Sequence, residues 1–211
     1  MSWTALLLGT LLLGGTARAT RDPEDYRHSL AQRAATDAEA LNQQGHHDEA
    51  IARCQAWTRA MGKAAPVLYE QAYAQNMKGA LDEAMDLYDQ VIALDPEHAA
   101  ARYDRAELHL ARGALEPARE DLAVAARLRP DHWAVHLRLA EIAGRSGEPA
   151  AFEAHLLDAL RHGLDWQTLD QDPTWHDLSR SETVGPVLKR LIAVYGDPGL
   201  WDRLVAPPVE R

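Results

Sequence analysis

Ten histidines are the residues of this chain that could hold a metal ion. His132 and His136 stand four residues apart, a spacing that places two imidazoles on one face of a helix within reach of a single ion. However, His132 directly follows Pro130-Asp131, at the start of a helix, and the sequence fixes no third ligand nearby. We therefore interpret His132 as a capping or surface residue and His136 as a packed one, and we predict no metal and no cofactor.

Signatures of catalysis are absent from the sequence. There is no phosphate-binding G-x-x-x-x-G-K-[ST] loop, no H-E-x-x-H, no C-x-x-C and no EF-hand loop, and the segment Gly144 to Gly147 lacks the spacing of a nucleophile elbow. Cys54 is the one cysteine, so no internal disulfide can form, and its alignment with apolar residues of later repeats predicts a core position. The sequence therefore predicts a protein that is not an enzyme.

The charge of the chain excludes two classes of partner. Lys and Arg number 22 against 32 Asp and Glu, which gives a formal net charge of −10 at pH 7. Affinity for nucleic acid and for anionic membrane comes mainly from clustered Lys and Arg. We therefore expect neither as a partner.

The N-terminus is predicted to be a signal peptide over residues 1–19. An apolar run from Trp3 to Leu13 is followed by Ala17-Arg18-Ala19, which fits the A-x-A cleavage pattern. The run is shorter than the ~20 apolar residues of a membrane-spanning helix. We expect export to the periplasm or the outside of the cell with cleavage near Ala19 and no stable membrane anchor, although retention of the segment stays open because no Lys or Arg precedes the run.

The chain contains an internal repeat, and the helices of this repeat must hold any functional side chain in place. Four glycines recur at intervals of 34 residues, and four alanines run in phase with them, seven residues ahead. A fixed period of this length is typical of stacked copies of one supersecondary unit. The glycines are Gly45, Gly79, Gly113 and Gly147, and the alanines are Ala38, Ala72, Ala106 and Ala140.

Each repeat is predicted to be a pair of helices joined at the glycine. The second block gives helices over 65–77 and 81–94 with a turn at Gly79 between them, and Asp95-Pro96 ends the second helix. The third block repeats this plan with a helix over 115–128 and a stop at Arg129-Pro130.

This pattern resembles the tetratricopeptide repeat. The resemblance implies an all-α, right-handed superhelical solenoid of four repeats over residues 31–166, divided into 31–64, 65–98, 99–132 and 133–166. The prediction also includes three flanking segments. They are a lead-in over 20–30, of which 20–28 is loose, a helical cap over 167–205 and a disordered tail over 206–211. The residues predicted to cover the end of the solenoid are Trp166, Trp175, Leu178, Leu188, Leu191 and Ile192.

The resemblance also implies a peptide-binding groove lined by the first helices of the repeats. The positions that it transfers to this chain are Ala35, Glu39, Asn42, Tyr69, Tyr73, Asn76, Tyr103, Glu107, Leu137 and Glu141, flanked by Glu70, Asp104 and Arg138. The best-known groove of the family grips a C-terminal carboxylate with cations and amides, whereas these positions are aromatic and acidic. We therefore expect a peptide with Lys or Arg beside apolar side chains.

Alternatives remain at this stage. The tyrosines could simply pack between helices, and the acids could form a solvated face, although Glu39, Glu107 and Glu141 share one phase of the repeat. For the whole protein we predict an interaction scaffold that binds a protein or peptide. The alternative is a structural module of an envelope assembly that self-associates end to end through its terminal helices.

Overall fold

The computed structural model describes residues 22–197 and 199–206, and every regular element in these residues is an α-helix. The predicted signal peptide and nearly all of the predicted tail lie outside this range. None of the described helices is both long and apolar enough to cross a bilayer. The helices are α1 (Pro23–Gln43), α2 (His47–Met61), α3 (Ala65–Met77), α4 (Leu81–Leu94), α5 (Ala99–Ala111), α6 (Leu115–Leu128), α7 (Trp133–Arg145), α8 (Pro149–Arg161), α9 (Gln167–Gln171), α10 (Pro173–Ser179), α11 (Gly185–Tyr195) and α12 (Leu200–Val205).

The first eight helices form four hairpins that stack in chain order. Within each pair the two helices pack on each other, and each second helix also packs on the first helix of the next pair. The helices predicted at 65–77, 81–94 and 115–128 are confirmed with the same bounds. The all-α solenoid inferred from the repeat is therefore the observed architecture.

The four repeat glycines close the first helix of each pair in the same conformation. Gly45 and Gly79 both have φ of 78°, and Gly113 and Gly147 have φ of 72° and 71°. Residues with a Cβ rarely adopt this left-handed region, which explains why glycine recurs there. In the second pair, the amide of Gly79 donates to the Asn76 carbonyl oxygen at 2.9 Å.

Alanines at the repeat period bring the helices of each pair together. Ala72 and Ala84, on α3 and α4, are both fully buried, as are their counterparts in the neighbouring pairs. In the fourth pair Phe152 takes the alanine position and is also fully buried. The bare backbone of Gly144 makes room for it, because a Cβ there would lie 3.1 Å from Phe152 Cδ2 and 2.8 Å from Leu178 Cδ2.

The segment predicted to be loose over 20–28 is helical from Pro23 onward, which corrects the prediction for 23–28; residues 20 and 21 lie outside the described range. Helix α1 begins at Pro23, and the Asp22 carboxylate accepts a hydrogen bond from the Glu24 amide at 2.9 Å. An Asp N-cap, a proline in the first turn and acidic residues there all favour a helix start. Arg27, on the added turns of α1, donates to the Lys63 carbonyl oxygen at 3.2 Å, which ties the start of α1 to the end of the first pair.

Helices α9 to α12 lie in the segment predicted as a cap and pack on the fourth pair, with α10 against α7 and α11 against α8. Their side chains share one core cluster with those of α7 and α8. Trp175 is fully buried with its ring centroid 5.9 Å from that of Phe152. The residues predicted to cover this end lie in or against that cluster: Trp166, Trp175, Leu178, Leu188, Leu191 and Ile192.

Candidate partner-binding groove

The first helices α1, α3 and α5 bring the predicted acidic and aromatic residues onto one side of the stack. We call this surface the candidate groove. It contains two adjacent cavities, and Tyr69 lines both of them. The residues of the candidate groove are Glu39, Asn42, Tyr69, Glu70, Tyr73, Tyr103 and Asp104.

The first cavity, of about 190 Å³, lies between α1 and α3. Its lining residues are Glu39, Asn42, Gln43, Tyr69, Glu70 and Tyr73. Asn42 is buried and donates from Nδ2 to Glu70 Oε2 at 3.0 Å and to the Glu70 carbonyl oxygen at 3.1 Å. The amide therefore fixes the Glu70 carboxyl at the cavity wall, while Glu39 is exposed beside it.

The second cavity, of about 220 Å³, is more apolar and lies one repeat further along the stack. Its lining residues are Tyr69, Ala99, Ala100, Tyr103, Asp104, Ala125, Arg129, His132 and Val135. Histidines from the loops before α5 and α7 pack on the two tyrosines: the rings of Tyr69 and His98 are 4.7 Å apart and those of Tyr103 and His132 are 5.8 Å apart. These contacts hold both phenol rings in place at the cavity wall.

The two groove carboxyls at the centre of this surface, Glu70 and Asp104, have raised pKa values. Burial, with a smaller contribution from Glu39, raises the pKa of Glu70 to about 7 against the opposing effect of the Asn42 hydrogen bond. Burial also raises the pKa of Asp104 to about 6, although Tyr69 and Tyr88 donate to its carboxylate. Within the described residues, no Lys or Arg forms an ion pair with Glu39, Glu70 or Asp104.

Two other predicted groove acids, Glu107 of the third repeat and Glu141 of the fourth, have a different environment. Arg138, on α7, donates from Nε to Glu107 Oε1 at 2.8 Å and from Nη1 to Glu141 Oε2 at 3.0 Å. It also pairs with Asp172 at 3.4 Å, and Arg145 donates to Glu141 Oε1 at 3.2 Å. Glu107 and Glu141 therefore already have intramolecular cations, whereas Glu39, Glu70 and Asp104 have none among the described residues.

The structure corrects the predicted site at its fourth repeat. Leu137 is 4% exposed and belongs to the core cluster of α7, α8 and the C-terminal helices. Glu141 is likewise 4% exposed and held by two arginines, so neither side chain is open to a partner. Ala35, at the corresponding position of the first repeat, is also buried in the core.

The other predicted positions remain accessible to different degrees. Tyr69, Tyr73, Asn76, Tyr103 and Glu107 are half-buried, Glu39 is exposed, and Asn42 is buried as a support for Glu70. Two features of the groove were not predicted. The first is the hydrogen bond from Tyr88, on the second helix of the pair, to Asp104, and the second is the role of Arg138 as a counterion of Glu107. Glu70, Asp104 and Arg138 occupy the same position in successive repeats, so the change from a negative to a positive charge at Arg138 could have indicated its role.

Cys54 takes the core position that the repeat alignment predicted. Its side chain is 1% exposed, and burial, together with the nearby Glu70 carboxyl, raises the pKa of the thiol to about 12. Because the thiolate is the reactive form of cysteine, this buried thiol is a poor nucleophile.

Stacked helix pairs with a common glycine turn define an α-helical repeat protein. The model of the tetratricopeptide repeat family matches residues 75–127, within the second and third helix pairs. No curated protein matches the chain.

Solved structures share the same fold at low sequence identity. MamA of Desulfovibrio magneticus RS-1, from its residue 41 to the end, is 16% identical, with 78% of this chain and 92% of that chain covered and a TM-score of 0.63. YrrB, described as a TPR protein with an unusual peptide-binding site, is 15% identical over 81% of this chain and 89% of its own, with a TM-score of 0.64. A thermophilic TPR protein of Thermus thermophilus is 20% identical over 82% of this chain and 96% of its own, with a TM-score of 0.56. These similarities extend the repeat fold over most of the chain.

Proposed function

We propose that this protein is a non-enzymatic interaction protein whose candidate groove binds a segment of a partner protein that carries a Lys or Arg next to an apolar side chain. The observation that carries the proposal is the pair of cavities that share Tyr69, one bordered by carboxyls without cations and the other more apolar. The printed description of YrrB as a peptide-binding TPR protein agrees with this proposal.

The first cavity has the chemistry of a site for a cation. Glu39 and Glu70 supply negative charge at its wall, and Tyr69 and Tyr73 supply ring faces. A Lys or Arg over a tyrosine ring gains about 0.5 to 2 kcal/mol, and its methylene groups can lie on the same ring. A bound cation would also favour the ionised form of Glu70, so binding is expected to release a proton near neutral pH.

The second cavity suits an apolar side chain that follows the cation. Ala99, Ala125 and Val135 supply most of its apolar wall, with the Tyr103 ring beside them. Because Tyr69 separates the two cavities, their occupants would be close neighbours along an extended peptide. A C-terminal carboxylate, by contrast, would meet Glu70 and Asp104 and be repelled.

The self-association alternative has less support than the groove. It proposes association through exposed terminal helices, with the fourth repeat as one possible end, and that end packs on α10 and α11. Light scattering over a range of concentrations tests it directly, since end-to-end assembly makes the apparent mass rise with concentration.

Export is a further part of the proposal. Residues 1–19 carry the pattern of a cleaved signal peptide, which would deliver the repeat region to the periplasm or the outside of the cell. The partner would then be an envelope or extracellular protein.

Fluorescence anisotropy with labelled peptides tests the groove. The probes are short extended peptides with a central Lys or Arg next to Leu or Phe, and matched peptides in which Glu replaces the basic residue. We expect the basic-apolar peptides to bind and Tyr73→Ala or Glu70→Gln to weaken them by about tenfold or more, which corresponds to ~1.4 kcal/mol. The matched controls are Tyr195→Ala and Glu83→Gln, whose side chains are exposed outside the candidate groove. Equal binding of basic and acidic peptides, or equal affinities for groove and control variants, would refute the assignment.

A further inference from the structure

A cluster of side chains that could bind a metal lies between α7 and α8, and none of its residues lines either cavity of the candidate groove. One ligand atom each from His136, His155 and Asp158 lies within 4.8 Å of the other two. His155 and Asp158 are three residues apart on α8, a spacing that puts both side chains on one helix face, and His136 reaches them from α7. The sequence had paired His136 with His132 instead, because the contact between the two helices is not visible from spacing.

One hydrogen bond of His136 indicates which of its ring nitrogens carries the proton. Its Nε2 lies 2.8 Å from the Pro130 carbonyl oxygen, and because a carbonyl only accepts, Nε2 carries the proton. The neutral ring then has an unprotonated Nδ1. A backbone carbonyl that holds the second ring nitrogen is the usual outer partner of a metal-bound histidine.

Both histidines have a buried nitrogen without a partner. Among the described residues, Nδ1 of His136 and Nδ1 of His155 are buried and receive or donate no hydrogen bond. A buried polar atom without a partner costs about 1 to 3 kcal/mol. Two imidazoles with unpartnered ring nitrogens and a nearby carboxylate form the type of donor set that zinc and related ions prefer.

We propose that His136, His155 and Asp158 form a binding site for a divalent transition-metal ion of the zinc class. In a tetrahedral site the ligand atoms are about 3.3 Å apart, so side-chain rotations must bring the three atoms closer. A water molecule completes the coordination, or else His162, whose ring stacks on that of His136 at 5.8 Å. The metal would clamp α7 to α8 in the pair that carries the C-terminal helices.

One cation competes for the carboxylate. Arg161, three residues further along α8, pairs with Asp158, and both side chains are partly exposed. Arg119 lies near His155 and is itself held by Glu148 at 2.9 Å. A metal must displace Arg161 from Asp158, which gives the proposal a specific signature: removing Arg161 should strengthen metal binding.

Cobalt absorption spectroscopy tests the site in the full chain without a histidine tag. Co²⁺ is titrated and then displaced by Zn²⁺; a tetrahedral site gives intense visible bands that Zn²⁺ abolishes. We expect His155→Ala and Asp158→Asn each to weaken Co²⁺ binding by about 100-fold or more, since even outer-shell changes cost about 10- to 100-fold. Arg161→Ala is expected to tighten binding several-fold. The double variant His46→Ala/His47→Ala, which removes two adjacent histidines of the first hairpin turn, should bind as the unaltered protein does.

Several results would overturn the proposal. They are the absence of tetrahedral bands at about 100 μM Co²⁺, unchanged affinity in both His155→Ala and Asp158→Asn, or loss of binding in the His46→Ala/His47→Ala control instead. Circular dichroism of each variant shows whether the helices are intact. If His155→Ala does not fold, the partly exposed Asp158→Asn and Arg161→Ala decide the question, because they must shift affinity in opposite directions.

Discussion

Tyr69 on α3 donates a hydrogen bond from its hydroxyl to Asp104 Oδ2 on α5 at 3.0 Å, which links two successive repeats at the boundary of the two groove cavities. Tyr88 on α4 donates to the same oxygen at 3.3 Å. One carboxylate is therefore held by tyrosines from both helices of the preceding repeat. This arrangement positions the Tyr69 ring, and the ring is the shared wall of both cavities.

The first prediction concerns this link. Tyr69→Phe removes a donor from a largely buried carboxylate, which we expect to lower the free energy of unfolding by about 1 to 3 kcal/mol. The Tyr69 hydrogen bond lowers the pKa of Asp104, so the variant should raise that pKa above about 6. Urea unfolding and carboxyl NMR titration measure the two effects. Tyr26→Phe, on an exposed side chain of α1, serves as the control, and an unchanged Asp104 pKa in Tyr69→Phe would contradict the prediction.

The second prediction concerns Glu70 and pH. The pKa of Glu70 is raised from 4.5 to about 7, so its contribution to stability is fully present below pH 4.5 and is lost as the pH rises through 7. Glu70→Gln stays neutral and can still accept from Asn42. We expect it to be about 1 to 3 kcal/mol more stable than the unaltered protein at pH 8 and little different at pH 4.5.

Thermal unfolding at the two pH values measures this difference. Glu83→Gln, at an exposed position in the first turn of α4, should lower stability at pH 8 by at most about 1 kcal/mol, opposite in sign to the Glu70→Gln effect. The same Glu70→Gln variant is expected to bind basic peptides more weakly. If Glu70→Gln gains stability at pH 8 while it loses affinity for basic peptides, Glu70 has a function in binding and not in folding. Lower stability of Glu70→Gln at pH 8 would contradict the prediction and show that the fold needs the carboxylate.

The third prediction concerns Arg138. Arg138→Gln removes the cation of the half-buried Glu107, while the buried Glu141 keeps Arg145, so we expect a cost of about 2 to 3 kcal/mol, below the ~3 to 5 kcal/mol of a fully buried pair. The double variant Arg138→Gln/Glu141→Gln should recover part of the loss in a urea-unfolding cycle. By comparison, Arg190→Gln breaks an exposed pair with Glu153 and should cost at most about 1 kcal/mol. Equal losses for Arg138→Gln and Arg190→Gln would contradict this account.

The fourth prediction separates two roles of glycine. A Cβ at Gly79 would meet no atom within 4 Å, so Gly79→Ala costs only the unfavourable φ, about 1 kcal/mol. Gly144 is helical, and its added methyl group would overlap Leu178 and Phe152 side chains, so Gly144→Ala should cost about 1 to 3 kcal/mol through overpacking. Denaturant unfolding compares them. A gain in stability for Gly144→Ala would contradict the close packing of α7 on α10.

The fifth prediction concerns export. Expressed from the full coding sequence in a bacterial host, the protein should be recovered from the periplasm or medium with Thr20 as its first residue, because Ala17-Arg18-Ala19 fits the cleavage pattern. Ala19→Asp should block cleavage, and intact mass spectrometry detects the retained segment. The conservative Thr20→Ser serves as the control. Recovery of the uncleaved protein in the cytoplasm would contradict the prediction.

Local signals in the sequence accounted for the bounds of α3, α4 and α6. Gly79 and Asp95-Pro96 act within a few residues of the helix ends they set, so the bounds of α3 and α4 could be predicted without tertiary information. The start of α1 was not predicted, because it lies before the first repeat and has no counterpart in the other repeats, although Asp22 and Pro23 carry a local capping signal. The family model supports the tetratricopeptide assignment over 75–127.

The candidate groove could be predicted only in outline. The family resemblance placed Tyr69, Tyr73 and Glu39 in one groove, and the structure brings them to one cavity. The resemblance could not show that Leu137 turns into the core, because at the end of the stack the C-terminal helices replace the next repeat. Whether these residues bind a partner is the proposal that the peptide experiment tests.

By itself, the sequence determined the helical period, the glycine turns and the acidic, aromatic composition of one face, because backbone conformation and repeat phase depend on residues close together in the chain. Only the tertiary structure decided which charges are paired. Arg138 meets Glu107 across two repeats, Glu70 meets Asn42 but no described cation, and His136 meets His155 across a helix pair. Such pairings depend on how side chains of different helices interdigitate, since contact between them is set by packing rather than by distance along the chain.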